Sequence, residues 1–138
     1  MITAFLFIED NSSDFEIIQH WALKNYQGCA FARAWDRESM EKVLAEIKPD
    51  VYLCDYSLPT FPWPGAFELA RTLDNPLKPF IVLSGMPKDD RGLLAIKAGG
   101  RYVSKDEIHA RLKIVIDSEW KMYQARMKTK EAAQKFRE

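Results

Sequence analysis

Cysteine is scarce. The 138-residue chain carries only Cys29 and Cys54, too few for a disulfide framework, and neither sits at Cys-x-x-Cys or Cys/His zinc-ligand spacing. Net charge is absent as well: 20 basic residues cancel 20 acidic ones, so no overall field draws the chain to nucleic acid or to an anionic membrane. Long apolar runs are missing. Nothing approaches the roughly 18 consecutive apolar residues of a membrane span. The first run, residues 4–8, is cut off by Glu9 and Asp10, which argues against a secretory signal. Six glycines and seven prolines are too few for a disordered or collagen-like chain. There is no Gly-x-x-x-x-Gly-Lys-Ser/Thr loop to cradle nucleotide phosphates and no Gly-x-Gly-x-x-Gly after the first strand, which argues against dinucleotide binding. No internal repeat or low-complexity segment is present. What remains, with 47% hydrophobic residues, reads as one reduced, cytoplasmic globular domain, long enough to bury about two thirds of its unfolded surface.

Four apolar runs punctuate the chain: AFLFI (4–8), VYLC (51–54), FIVL (80–83) and the weaker RYV (101–103). CAFARA (29–34) is a fifth, more alternating candidate. Near-continuous apolar runs are the mark of parallel strands covered on both faces. Helical periodicity fills the gaps. Ser13 with Glu16 forms a capping box ahead of Phe15, Ile18, Trp21 and Ala22. Asp36 precedes a face of Met40, Val43, Leu44 and Ile47. Gly65 precedes a helix that stops at Asn75-Pro76, and Asp90 precedes one ended by Gly99-Gly100. Strand and helix alternate five times, which predicts a doubly wound parallel α/β sheet with right-handed crossovers. From Glu107 to Glu138 there is neither Gly nor Pro, so one extended C-terminal helix is expected. Ile108, Leu112, Val115 and Ile116 would dock it, and Trp120, Tyr123 and Met127 continue a thinner stripe. Its charged end is either a frayed terminus or a coiled-coil linker toward a partner or further domain.

In an open parallel sheet the carboxyl ends of the strands share one edge, where ligands bind. Glu9 and Asp10 follow the first run, Asp55 follows VYLC, Ser84 follows FIVL, and Lys105 follows RYV-Ser104. A lone Asp there is usually just a helix cap. Three carboxylates together are different, because like charges at close range resist joint ionisation and need a cation. Carboxylate oxygens with room for water suit Mg²⁺. A hydroxyl and an ammonium beside that ion would contact phosphoryl oxygens. His20 and His109 fall in predicted helices away from this rim, as surface or packing residues, and the Cys54 thiol is expected in the core. Asp55 is then the remaining nucleophile, since a carboxylate can form a labile acyl phosphate.

Over residues 1 to about 118 the sequence resembles the receiver domain of two-component response regulators. The matching features are the acidic pair Glu9-Asp10, the stretch Asp55-Tyr56-Ser57-Leu58-Pro59, Ser84-Gly85, and Tyr102 three residues before Lys105. The resemblance implies a five-stranded flavodoxin-like fold of strand order 2-1-3-4-5 with helices on both faces; residues 119–138, beyond its reach, are read as a helical extension or linker. It implies that Asp55 accepts phosphate from a sensor histidine kinase or a histidine phosphotransfer protein. Asp10, Asp55 and the Ser57 carbonyl would ligate Mg²⁺, with Glu9 assisting through water. Ser84 and Lys105 would contact the phosphoryl group, and Tyr102 would switch rotamer with the Ser84 loop. The expected protein is a signalling switch rather than an enzyme, with self-phosphorylation from small donors and slow self-dephosphorylation. A homodimer could form through the face of the fourth helix, fifth strand and fifth helix, or through the C-terminal helix.

This chain departs from the family pattern in places. Glu9 stands where Asp is commoner, with a longer arm. Asp106 replaces a proline after the lysine and could cap the final helix. The loop Thr60-Phe61-Pro62-Trp63-Pro64 places Gly65 late; Phe61 and Trp63 either form a docking patch or fold back over the third helix. Ser57 and Met86 would line water access to the phosphoryl group. Two other readings compete: a degenerate receiver acting as a phosphorylation-independent interaction module, and a metal-dependent phosphatase with an Asp nucleophile. The latter wants an acid two residues after Asp55, where Ser57 stands.

Overall fold

The computed structural model describes residues 1–85 and 100–137. Met86, the Asp90 cap and the helix expected after it lie outside the described residues. The elements in order are β1 (Ala4–Ile8), α1 (Ser12–Asn25), β2 (Ala30–Ala34), α2 (Arg37–Glu46), β3 (Val51–Asp55), α3 (Trp63–Leu73), β4 (Phe80–Ser84), β5 (Arg101–Ser104) and a C-terminal helix (Lys113–Arg137). The five strands form one sheet of order β2-β1-β3-β4-β5, and every pairing is parallel.

Alternation along each strand sends side chains to two cores. Leu6, Ile8, Tyr52, Cys54, Phe80 and Val82 pack with α2 and α3. Phe5, Phe7, Leu53, Ile81 and Leu83 pack with α1 and the C-terminal helix. The central runs are apolar throughout because both faces are covered. With all strands parallel, the carboxyl ends of β1, β3, β4 and β5 fall along one edge.

Local chemistry moves several expected boundaries. The cap of α1 is Asn11, whose side chain accepts from the Asp14 amide at 2.9 Å; Ser12 and Ser13 already lie within the helix, so the Ser13–Glu16 box does not form. Asp36 does cap α2, exchanging bonds reciprocally with Ser39. α3 begins at Trp63, before Gly65 rather than after it. Pro64 is tolerated in its first turn, where an amide would have no intrahelical partner. Phe61 and Trp63 are each only 6% exposed and join the α2–α3 core with Leu58. The loop therefore folds back, and its aromatics offer no docking patch.

The final helix also begins differently from its uninterrupted sequence pattern. A 3₁₀ turn (Lys105–Glu107) and a π turn (Ile108–Leu112) precede the α-helix at Lys113. Ile108 and Leu112 are both buried by this arrangement. Asp106 does not cap the helix; it accepts a hydrogen bond from the Ser104 hydroxyl and ties strand end to turn. No cis peptide bond occurs among the described residues. Leu112 and Ile116 are fully buried, worth about 1.5–3 kcal/mol each as apolar burial. Further along, the Tyr26 hydroxyl donates to Asp117 at 2.8 Å, Arg101 pairs with Glu119 at 3.4 Å, and Asn75 donates to the Met127 sulfur at 3.5 Å. Beyond Met127 every described residue is exposed. No described helix is long and apolar enough to cross a membrane.

Candidate functional site

The rim at the carboxyl ends of the strands is where charge accumulates. Glu9 directly follows β1, and its amide donates to the Ala34 carbonyl at 2.8 Å, extending the β1–β2 ladder by one residue. That bond holds the Glu9 side chain inward, fully buried. Its Oε1 accepts from the Asn11 amide at 3.0 Å. Its Oε2 has no hydrogen-bond partner among the described residues. Burial first, and the neighbouring Asp55 carboxylate second, push the Glu9 carboxyl up to about 8.

Asp55 ends β3 and is 5% exposed. Its Oδ1 accepts from the Ser57 amide at 3.1 Å. Lys105, just past β5, points its ammonium between three carboxylates: Asp55 at 3.4 Å, Asp14 at 3.8 Å and Glu9 at 3.9 Å. Asp10 is exposed at the mouth. One carboxylate oxygen from each of Glu9, Asp10 and Asp55 lies within 4.8 Å of the others. A single ammonium at these separations leaves the cluster net negative, and a buried carboxylate oxygen with no hydrogen bond and an ammonium only at 3.9 Å costs free energy. Hard oxygen donors, one of them open to water, are the donor set Mg²⁺ takes. The residues present fit that ion.

Of the residues expected from sequence, Glu9, Asp10, Asp55 and Lys105 are gathered here. Ser84 ends β4 and is buried beside them on the same edge; its backbone partner across the ladder is Ser104. The Lys105 stem passes Gly85, with room there for a methyl group. Ser57 is exposed next to Asp55. Tyr102 lies back from the rim, paired in register with Val82, half-buried against the α2–α3 core. His20 and His109 are exposed, as surface residues; both line a groove of about 850 Å³ that runs from Lys105 along α1, floored by Ile18, Trp21 and Ile108. Cys54 is buried in the core as expected, and its thiol is held well above its ordinary range, first by burial and then by the charge of Asp55.

Three contributors were not singled out from sequence: Asn11, Asp14 and Arg33. Asn11 was detectable, since it precedes a serine pair at a helix start and competes as a cap. Asp14 and Arg33 reach the rim through tertiary contacts that no local spacing encodes.

No protein-family model matches the chain, and no curated protein matches it. Solved structures do. The CheY-like response regulator receiver domain protein from Methanospirillum hungatei JF-1 is 17% identical with a TM-score of 0.67, covering 88% of this chain and 98% of its own. The Francisella response regulator 1452 receiver domain is 18% identical with a TM-score of 0.63, covering 91% and 98%. A fusion protein carrying a trimeric coiled-coil segment of yeast Spc42 reaches a TM-score of 0.76 at 20% identity, covering 98% of this chain and 85% of its own. The fold is that of receiver domains.

Proposed function

We propose that this receiver fold works as a phosphoacceptor switch, with Asp55 as the nucleophile. The observation that carries the reading is the Lys105 ammonium 3.4 Å from Asp55 Oδ1, inside a cluster of carboxylates that one cation cannot neutralise. Asp10, Asp55 and the Ser57 carbonyl would hold Mg²⁺, with Glu9 behind them through water. When bound, the ion would offset the charge of the carboxylates and of an incoming phosphoryl group. An Asp55 carboxylate oxygen attacks phosphorus while the P–N bond of a partner's phosphohistidine breaks, and the bond pair leaves with the imidazole nitrogen. Lys105 and Ser84 then contact the transferred oxygens.

The partner would be a sensor histidine kinase or a histidine phosphotransfer protein, in the cytoplasm. Residues 1–118 would form the switch and 119–138 a helical extension or linker. Tyr102 reports the phosphoryl state through the Ser84 loop. Such a switch moves only as far as the phosphoryl group binds one conformation better than the other. Self-association would use the β5 face or the C-terminal helix. Ser57 supplies no acid for a leaving alcohol, which weighs against a turnover phosphatase.

Intact-mass spectrometry after incubation with acetyl phosphate and Mg²⁺ tests this. One base-labile phosphate adduct on the wild type, absent from Asp55→Asn, is expected. An adduct that persists in Asp55→Asn moves the nucleophile elsewhere. No adduct on either protein favours the interaction-module reading.

A further inference from the structure

Arg33 lies on β2, outside the residues assigned above, yet it grips the acidic loop. Its Nε donates to the Glu9 carbonyl at 2.9 Å and its Nη2 donates to the Asp10 carbonyl at 2.8 Å. Both carbonyls belong to residues whose carboxylates form the rim cluster. The guanidinium is itself fixed, with the Phe15 ring 5.6 Å and the Trp35 ring 5.5 Å from its central carbon. Arg33 faces Phe7 in the β1–β2 register, so the sheet sets its height relative to the loop. One residue later, the Ala34 carbonyl takes the Glu9 amide at 2.8 Å.

The geometry points to Arg33 as the positioning residue of the metal loop, acting through the backbone of Glu9 and Asp10 and touching neither ion nor phosphoryl group. This deepens the magnesium reading proposed above and rests on it. Arg33 would act by preorganisation. Asp10 is exposed between two anchored neighbours, Glu9 on the ladder and Asn11 at the cap of α1, and any freedom left to the carbonyls of Glu9 and Asp10 would be lost on binding, at an entropic cost. A planar fork bonding two successive carbonyls removes that freedom beforehand. Lysine cannot substitute: its single ammonium lacks both the fork and the planar face that meets the Phe15 and Trp35 rings. Groups that orient ligands typically contribute about 10–100-fold to metal affinity.

The test is calorimetric Mg²⁺ titration of wild type, Arg33→Met and Arg33→Lys, alongside acetyl phosphate labelling across a Mg²⁺ series. About tenfold weaker Mg²⁺ binding is expected in both variants. The labelling ceiling at saturating Mg²⁺ should return to the wild-type level, because Arg33 takes no part in the transfer. An unchanged dissociation constant in Arg33→Met, or full recovery in Arg33→Lys, overturns the inference. So does a lowered ceiling at unchanged affinity. If Arg33→Met fails to fold, Trp35→Leu keeps both hydrogen bonds and loosens the clamp; it should weaken Mg²⁺ binding measurably, and no change overturns the inference. A wild-type protein that binds no Mg²⁺ overturns the magnesium reading itself, and with it this one.

Discussion

Asp74, near the amino-terminal end of β3, is held by the Tyr52 hydroxyl at 2.6 Å and by Lys78 at 2.8 and 3.0 Å. At the carboxyl end of the same strand, Asp55, Asp14 and Glu9 divide one ammonium among them at 3.4 to 3.9 Å. The first cluster is shielded throughout, with the Lys78 and Asp74 side chains 10% and 7% exposed; in the second, Glu9 and Asp55 are buried while Lys105 and Asp14 are partly open to solvent. The first is complete, with one negative charge, one positive charge and short bonds. The second has surplus negative charge, longer separations and a buried oxygen without a hydrogen bond. In the second arrangement the charge is relieved either by a proton held on Glu9 or by a cation that takes its place. The difference separates a balanced ion pair from a candidate site.

The largest effect expected is at the complete cluster. Asp74→Ala leaves a buried ammonium and a buried phenol unpaired and should destabilise the protein by about 3 kcal/mol, read by urea denaturation. Mg²⁺ affinity should not move. Equal loss of Mg²⁺ binding would erase the distinction between the two ends.

A smaller effect of opposite sign is expected at the rim. The folded carboxyl of Glu9 titrates near 8 against an ordinary 4.5, so the fold favours its protonated form. That contribution is fully present below pH 4.5 and is lost as pH rises through about 8. The metal-free protein should therefore lose stability between about pH 5 and pH 8. Glu9→Gln should remove this slope and be the more stable form at pH 9, by on the order of 2 kcal/mol, while weakening Mg²⁺ binding. A variant less stable than wild type at pH 9 would mean that the buried carboxylate is already satisfied.

Strand ends were legible in the sequence for a simple reason. Residues 4–8, 51–54 and 80–83 are apolar without interruption, so the first polar residue after each run marks the rim, and Glu9, Asp55 and Ser84 follow directly. Lys105 is legible the same way, one residue past Ser104. Helix starts were less so. Asn11, Ser12 and Ser13 are all competent caps, and the ladder bond from Glu9 to Ala34 settles where the chain turns. Trp63 opens α3 because burying two aromatics outweighs the break suggested by Pro62, Pro64 and Gly65. The 3₁₀ and π turns after β5 leave no sequence mark, since every residue from Lys105 to Leu112 is an acceptable helix former. Arg33 was invisible because its role depends on register across two strands and on a loop it does not adjoin.

On the reading proposed above, the rim cluster takes up a divalent cation in exchange for the Glu9 proton. The most direct test is calorimetric Mg²⁺ titration of the wild-type protein at pH 7, in two buffers of different ionisation enthalpy, which counts protons released per ion. Binding at one site with proton release is predicted, because the carboxyl of Glu9 is largely protonated below 8 and a nearby cation draws that proton off. The release should vanish at pH 9 and in Glu9→Gln. Absence of binding would mean that the rim is no magnesium site, and binding with no proton released at pH 7 would mean that Glu9 is already ionised in the free protein.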